Sequence, residues 1–188
     1  GFDLDLRKIE SIGRGASYIE DVPSAEVARM VASGKLRGSA DFGDLARCDV
    51  INVCVPTPLT KTKDPDVSHM ARAVEDIRKR LRAGQLVILG STTYPGTTHE
   101  LFVPILEDSG LRVGVDFALA FAPERIDPAN KKFSVRDVPK VVGGETPLCT
   151  ELAAAIFRPV FDQVVMVSST QCAEMVKLLE NTFRAINI

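Results

Sequence analysis

The chain lacks tryptophan and has only two histidines and two tyrosines among its 188 residues. It has no apolar run approaching the roughly 20 residues that a membrane-spanning helix needs, so no such helix is predicted. Neither sign of charge dominates, because 23 Lys and Arg face 25 Asp and Glu for a net charge of −2. Without a basic excess, neither nucleic acid nor an anionic membrane is the expected partner.

Cysteine and histidine are scarce and badly spaced for metal binding. The four cysteines form no CxxC pair, and neither histidine has a partner at ligand spacing. Three of the cysteines lie in apolar segments and are predicted to be small buried residues. These features disfavour a disulfide scaffold or a metal site, and they fit a reducing cytoplasm, where we expect the protein to be located.

Strand and helix patterns alternate along the chain. Apolar runs rich in β-branched residues predict buried strands at 50–55 and 86–89, and shorter strands at 1–4, 37–40, 117–121, 141–142 and 164–167. Helical spacing predicts helices at 6–12, 23–33, 67–81, 98–108, 147–157 and from 170 onward. Thr146 is predicted to cap the helix at 147–157, and Ser168 and Gln171 are read as a capping box for the last helix. The alternation predicts an α/β fold with a Rossmann-like, doubly wound parallel sheet.

Two loops rich in hydroxyl groups directly follow predicted buried strands. Pro56-Thr57-Pro58 follows the first of these strands, and the segment STTYPGTT (91–98) follows the next. Open α/β sheets place ligands at the carboxyl ends of their strands, so both loops are candidates for hydrogen bonding to a cofactor or a sugar. Turn formation alone would also account for their composition.

Two carboxylates stand at predicted strand ends. Asp3 ends the first strand, where a dinucleotide-binding unit places an acid for the adenosine ribose, although an ordinary strand-end acid fits equally well. Glu124 and Arg125 follow the strand FALAFA. Together they form a candidate acid/base or anion-binding pair, and the alternative is a structural ion pair.

The last predicted helix carries two stripes. An apolar stripe has the three- and four-residue spacing of a helix face. A polar stripe contains Glu174, Lys177, Asn181 and Arg184, in which Lys177 and Asn181 are one turn apart. An ammonium beside a carboxamide suits the stabilisation of an oxyanion. Taken alone, the polar stripe is equally consistent with a solvated helix face.

Seven segments follow one another along nearly the whole chain. They are GFDLD (1–5), SYIEDVPS (17–24), CVPTPLTKTKDPD (54–66), STTYPGTT (91–98), FAPERIDP (121–128), PKVVGG (139–144) and AEMVKLLENTFRAINI (173–188). One such motif is weak evidence, but seven in this order are specific. In this order the chain resembles the UDP-glucose/GDP-mannose dehydrogenase family, and most closely its UDP-N-acetylhexosamine branch.

The resemblance implies an activity and assigns residues to it. The family oxidises the C6 alcohol of a nucleotide sugar to a carboxylate with two NAD⁺, through a thiohemiacetal and a thioester on a cysteine. Among catalytic residues, Lys177 and Asn181 match the groups that stabilise the oxyanion and order water. Thr92 matches a threonine at the reacting centre and the cofactor, and Glu124 matches the acid of the PER segment. Among cofactor contacts, the resemblance assigns Asp3 and Lys8 to the adenosine ribose of NAD and Thr57 to the cofactor cleft.

The chain also departs from the family pattern. Gly13 and Gly15 follow a helix rather than a strand, so the glycine-rich turn and its strand are expected to be missing, together with the segment that carries the catalytic cysteine. Pro123 to Pro128 reads PERIDP, which favours the N-acetylhexosamine branch and leaves a second acid, such as Asp127, open.

We therefore expect an N-terminally truncated NAD-binding domain at 1–168, and the start of a central dimerisation helix at 169–188. As a fragment it would be inactive alone. The complete protein would act on a UDP-sugar for polysaccharide biosynthesis, as a homodimer through that helix. The alternatives are the cofactor domain of another β-hydroxyacid-type dehydrogenase and a non-catalytic nucleotide-binding fragment.

Overall fold

The computed structural model describes residues 1–58, 61–62, 65–125 and 134–187. The chain divides into two compact units, Gly1–Leu45 and Ala46–Ile188, and each is described by itself. None of the described helices is long and apolar enough to cross a membrane.

The N-terminal unit contains α1 (Leu6–Gly13) and α2 (Ser24–Ala32). The Asp5 side chain caps α1 by accepting a hydrogen bond from the Arg7 backbone N–H at 3.0 Å. Pro23 stands at the cap position just before α2 rather than inside the helix. The strands predicted at 1–4 and 37–40 reduce to one parallel bridge between Phe2 and Ser39.

The second unit is built around a five-stranded sheet in the order β1-β2-β3-β4-β5. The strands are β1 (Val50–Val53), β2 (Leu86–Leu89), β3 (Ala118–Phe121), β4 (Lys140–Gly144) and β5 (Val164–Met166). Its α-helices are α3 (Ser68–Arg78), α4 (Val103–Glu107), α5 (Pro147–Phe157) and α6 (Thr170–Asn187), with a π-helix at Thr98–Phe102 and a 3-10 helix at Phe42–Arg47 near the division. The predicted Rossmann-like α/β fold is confirmed.

The sheet is mostly parallel, and β4 is the exception. β1, β2 and β3 run parallel, whereas β4 runs antiparallel to β3 and parallel to β5. An antiparallel neighbour needs no crossover, so the chain leaves β3 and enters β4 at the same edge of the sheet. Phe121 pairs with Gly143, which places Lys140, the first residue of β4, beyond the carboxyl end of β3.

The three central strands are buried on both faces, as the apolar run of β2 predicts, whereas in β1, also predicted to be buried, Asn52 is exposed. Every residue of β2, β3 and β4 is buried. On one face, alternate residues such as Ile88 and Ala120 form a core with Cys149 and Ala153 of α5. Alternate residues point to opposite faces, so Val87, Leu89 and Leu119 serve the other face.

Two adjacent glycines allow helices to approach β4 from both faces. A Cβ on Gly143 would lie 2.7 Å from the carbonyl carbon of Ser169, just before α6, and closer still to its oxygen. A Cβ on Gly144 would lie 2.7 Å from the Cβ of Cys149 in α5. The PKVVGG motif therefore sets the distance from β4 to α5 and to the start of α6.

Three helix ends refine the predictions. The segment predicted as one helix at 98–108 is a π-helix followed by α4, and Pro104 lies in the first turn of α4, where its missing N–H costs no hydrogen bond. Thr146 caps α5 as predicted. The predicted capping residue of α6 was wrong, because Ser169 rather than Ser168 accepts the Cys172 N–H, at 3.1 Å. Three of the four cysteines were predicted to be buried, but only Cys149 is fully buried.

Candidate functional site

The candidate site lies at the carboxyl edge of β1, β2 and β3. Three loops leave the sheet there, and α6 passes alongside two of them. Ligands of open α/β sheets bind at this edge. The predicted residues Thr57, Thr92, Glu124 and Lys177 belong to these elements.

The loops after β1 and β2 are joined by hydroxyl groups. The Thr57 hydroxyl donates to the Thr92 carbonyl at 2.6 Å, and the Val55 N–H donates to the Ser91 hydroxyl at 2.8 Å. Thr92 is exposed and Thr57 is half-buried. The structure therefore brings these two predicted residues together and leaves the Thr92 side chain facing outward.

The segment after β3 is fixed by two ammonium groups. Lys177 of α6 donates to the Glu124 carbonyl at 2.5 Å, and Lys140 of β4 donates to the Pro123 carbonyl at 2.9 Å. The carboxylate of Glu124 lies 3.6 Å from the Lys140 ammonium, and its side chain is 54% exposed. Two cations thus converge on consecutive carbonyls, beside a carboxylate that remains open to solvent.

Arg125 does not form the predicted ion pair with Glu124. Its guanidinium makes a bidentate pair with Glu180 of α6 and donates to the Pro139 carbonyl at 2.6 Å. This arrangement ties the segment after β3 to α6 and to the residue before β4. Arg125 therefore belongs to a structural ion pair, but with Glu180 rather than with Glu124.

Lys177 and Asn181 are both half-buried on α6. Burial lowers the pKa of Lys177, the nearby Arg184 lowers it further, and Glu180 and Glu124 act in the opposite direction. Asn181 follows Lys177 by one turn, and within the described residues its side chain has no hydrogen bond. The helix therefore places side by side an ammonium group whose pKa is lowered and a carboxamide that has no hydrogen bond within the described residues.

Lys140 is a residue that the sequence reasoning missed. Its side chain is 7% exposed, and its ammonium lies 5.0 Å from the centre of the Phe157 ring. Burial lowers the pKa of Lys140, and Glu124 opposes that change. The available signal was a lysine opening the otherwise apolar strand VVGG.

Glu174 was predicted to lie on the polar stripe of the last helix, but the structure buries it completely. Its carboxylate accepts hydrogen bonds from the loop 91–98. The helical periodicity alone could not distinguish this residue from a solvated one, because a buried acid and an exposed acid have the same spacing.

Asp3 and Lys8 lie in the N-terminal unit and form an ion pair at 2.8 Å. The Lys8 hydrogen bond lowers the pKa of Asp3, so the carboxylate is ionised at neutral pH. Asp3 remains 33% exposed, and each of its oxygens accepts one hydrogen bond, from Lys8 or from the Asp5 N–H. A carboxylate oxygen has a further lone pair, so the pair fits the two hydroxyl donors of a ribose.

Two remaining points concern the candidate second acid and metal binding. Asp127 is outside the described residues. Within the described ranges, no group of three or more His, Cys, Asp or Glu side chains is placed to hold a metal ion.

Comparisons with known proteins identify the family of the chain. The chain is 38% identical over 190 residues to UDP-N-acetyl-D-glucosamine 6-dehydrogenase from Pseudomonas aeruginosa, covering 100% of the chain and 44% of that protein. Its fold superposes on the UDP-D-ManNAc dehydrogenase from Pyrococcus horikoshii with a TM-score of 0.93 and 36% identity, over 100% of this chain and 45% of that one. The GDP-mannose dehydrogenase from Pseudomonas aeruginosa gives a TM-score of 0.91 at 28% identity, with 100% and 44% covered.

The chain spans less than half the length of these relatives. The model of the UDP-glucose/GDP-mannose dehydrogenase family, NAD binding domain, matches residues 1–161. The chain therefore belongs to the UDP-glucose/GDP-mannose dehydrogenase family, and the matched region is its NAD-binding domain.

Proposed function

We propose that the complete protein oxidises the C6 alcohol of a UDP-sugar, a UDP-N-acetylhexosamine, to the uronic acid. NAD⁺ supplies the hydride acceptor when bound. The observation that carries the proposal is the convergence of Lys177, Glu124 and the Thr92 loop at the carboxyl edge of the sheet. Oxidation of an alcohol needs a group that stabilises the developing oxyanion and a group that manages its proton, and this edge offers both.

Each catalytic assignment follows from a physical property of its side chain. Lys177 is a cation whose pKa is lowered by burial, so it can stabilise an alkoxide while charged or accept a proton while neutral. Asn181, one turn along, offers an amide donor to the same oxyanion or to a water molecule. Glu124 contributes a solvent-open carboxylate for acid/base chemistry, and Thr92 an exposed hydroxyl at the end of β2.

The cofactor assignment uses Asp3 and Lys8 for the adenosine ribose, and Thr57 and Thr92 for the cleft at the carboxyl edge. The ionised carboxylate of Asp3 accepts from the ribose hydroxyls, and Lys8 holds it in place. Thr57, by donating to the Thr92 carbonyl, orients the loop that borders the cleft.

The substrate and assembly are inferred from the relatives and from α6. Two similar proteins are a UDP-N-acetyl-D-glucosamine 6-dehydrogenase and a UDP-N-acetyl-D-mannosamine dehydrogenase, which supports a UDP-N-acetylhexosamine as the substrate. On α6, Leu179 and Phe183 are 65% and 68% exposed, an apolar face that supports a homodimer through this helix. We assign 1–168 to the NAD-binding domain and 169–188 to that helix, and place the protein in the cytoplasm, supplying uronic acids for polysaccharide biosynthesis.

The test is turnover by the complete protein with UDP-N-acetylglucosamine, UDP-N-acetylmannosamine and UDP-glucose. With the preferred substrate, Lys177→Ala is expected to lower kcat by roughly 10²- to 10³-fold with little change in KM, because an oxyanion contact acts mainly in the transition state. Lys79→Ala, at an exposed lysine of the same domain, is the matched control. An unchanged kcat in Lys177→Ala would remove this lysine from the mechanism, and no NAD⁺ reduction with any of the three sugars would refute the function.

A further inference from the structure

Glu174 is a carboxylate with no exposure to solvent, in the middle of the face that α6 turns toward the candidate site. A buried charge is costly unless it is well hydrogen-bonded. Its Oε2 accepts from the Gly96 N–H at 2.5 Å, and its Oε1 accepts from the Thr98 N–H at 2.8 Å and the Thr98 hydroxyl at 2.6 Å. All three of these hydrogen bonds therefore hold the same short segment of the chain.

The segment that Glu174 holds is the second half of the loop after β2. The first half is held from the other side, by the contacts of Ser91 and Thr92 with the loop after β1. Gly96 and Thr98 flank the start of the π-helix, where backbone N–H groups lack partners within the helix. Thr92 thus sits in a loop that is fixed at both ends, and one of those ends depends on Glu174.

The same helix face also holds the segment after β3. Lys177 follows Glu174 by three residues, so the two side chains share a face. Glu174 binds the loop 91–98 and Lys177 binds the Glu124 carbonyl. One rigid turn of α6 therefore sets the distance between the two loops that carry Thr92 and Glu124.

We propose that Glu174 is a positioning residue, whose buried carboxylate fixes the loop 91–98 so that Thr92 keeps a constant position relative to Lys177. This inference rests on the proposed function of Thr92 and Lys177. Burial raises the pKa of Glu174, the Thr98 and Gly96 donors oppose that change, and the carboxylate of Glu145 adds to it. All three hydrogen bonds have the carboxylate as acceptor, which matches the ionised form.

The experiment compares variants of the complete protein with UDP-N-acetylglucosamine and NAD⁺. Glu174→Gln keeps the volume but turns an NH₂ group toward N–H donors, so the loop must shift. A displacement of about 1 Å at a reacting group costs about 10²-fold, and we expect a fall in kcat of that size with little change in KM. Glu174→Asp keeps the charge on a shorter side chain, so its kcat should lie between that of the wild type and that of Glu174→Gln.

Phe102→Leu is the control for a purely structural effect, because Phe102 is buried in the same π-helix and takes no part in the hydrogen bonds of the Glu174 side chain. If Glu174→Gln loses no more kcat than Phe102→Leu at equal loss of Tm, the proposal is overturned. If Glu174→Gln does not fold, the comparison of Glu174→Asp with Phe102→Leu decides in the same way.

A double variant tests whether Glu174 acts through Thr92. In Thr92→Ala, the added change Glu174→Gln should cost much less kcat than it does in the wild type. Fully additive losses would refute the inference. Hydrogen exchange at residues 91–98 gives a readout without turnover: faster exchange is expected in Glu174→Gln, and unchanged exchange would contradict the proposal. If the wild type reduces no NAD⁺ with any of the three sugars while exchange at 91–98 accelerates in Glu174→Gln, the proposed function fails and the positioning of the loop by Glu174 stands.

Discussion

The substitution Gly143→Ala tests the closest approach between β4 and α6. The new Cβ would lie 2.7 Å from the carbonyl carbon of Ser169, and closer still to its oxygen. Real Cβ atoms do not approach other atoms within 3.0 Å. The obstacle is backbone rather than the end of a flexible side chain, so the start of α6 must move away from the sheet.

The magnitude follows from the cost of overpacking a core, which is typically about 1–3 kcal/mol. We place Gly143→Ala at the upper end of that range because no rotamer change relieves the contact. With a urea m-value of about 1–3 kcal/mol per molar, the midpoint of unfolding should fall by about 1 M or more. Urea titration of the chain, followed by circular dichroism, measures this change.

Gly13→Ala is the matched control for the same chemical change. A Cβ on Gly13 meets no atom within 4 Å, and the residue lies in α1, where alanine is favoured over glycine by up to about 1 kcal/mol. We expect this variant to be as stable as the wild type or slightly more so. An unchanged midpoint in Gly143→Ala would mean that the start of α6 can shift freely, and would refute the argument that β4 fixes this helix.

Two further predictions concern titratable groups. The hydrogen bond that His99 donates to Glu145 raises the pKa of His99 above its ordinary value of 6.5, so this pair stabilises the fold fully below pH 6.5 and loses its effect as the pH rises through the folded pKa. Because His99 is 58% exposed, the ion pair contributes at most about 1 kcal/mol. His99→Gln should therefore lower Tm slightly at pH 5.5 but not at pH 9, and an equal loss of Tm at the two pH values would contradict this prediction. Lys140→Met should leave stability within about 1.5 kcal/mol, because an apolar side chain of similar length suits this buried position beside the Phe157 ring and the Glu124 side chain that loses its partner is 54% exposed. It should nevertheless lower kcat about tenfold in the turnover assay through loss of the Pro123 anchor, and wild-type turnover would exclude a role for Lys140.

Much of the fold could be predicted because its signals are local. The strand Leu86–Leu89 is predicted to the residue by its apolar run, and α5 by the cap at Thr146. The direction of β4 could not be predicted, since the sequence of a strand does not record whether the chain before it crosses the sheet. The start of α6 at Thr170 was predicted, but its capping residue was misplaced by one, because Ser168 and Ser169 are equivalent as capping residues in sequence.

The residues of the candidate site were predicted only where the family resemblance assigns them a role. It assigns roles to Thr92, Glu124 and Lys177, whereas Lys140 and Glu174 lie in the quoted motifs without an assigned role and needed the tertiary structure to be recognised. Both are charged residues inside the packed unit, and their partners are backbone groups distant in the chain. Backbone donors and acceptors have no sequence signature, so no pattern could pair them with these side chains.

The contacts of α6 have a consequence for protein engineering. Residues 174, 177 and 180 contact three different points of two loops. Inserting or deleting one residue before this stretch would rotate everything after it by about 100° and break all three contacts together. A chimera between relatives should therefore exchange α6, the loop 91–98 and residues 123–125 together, because the contacts between them depend on all three segments.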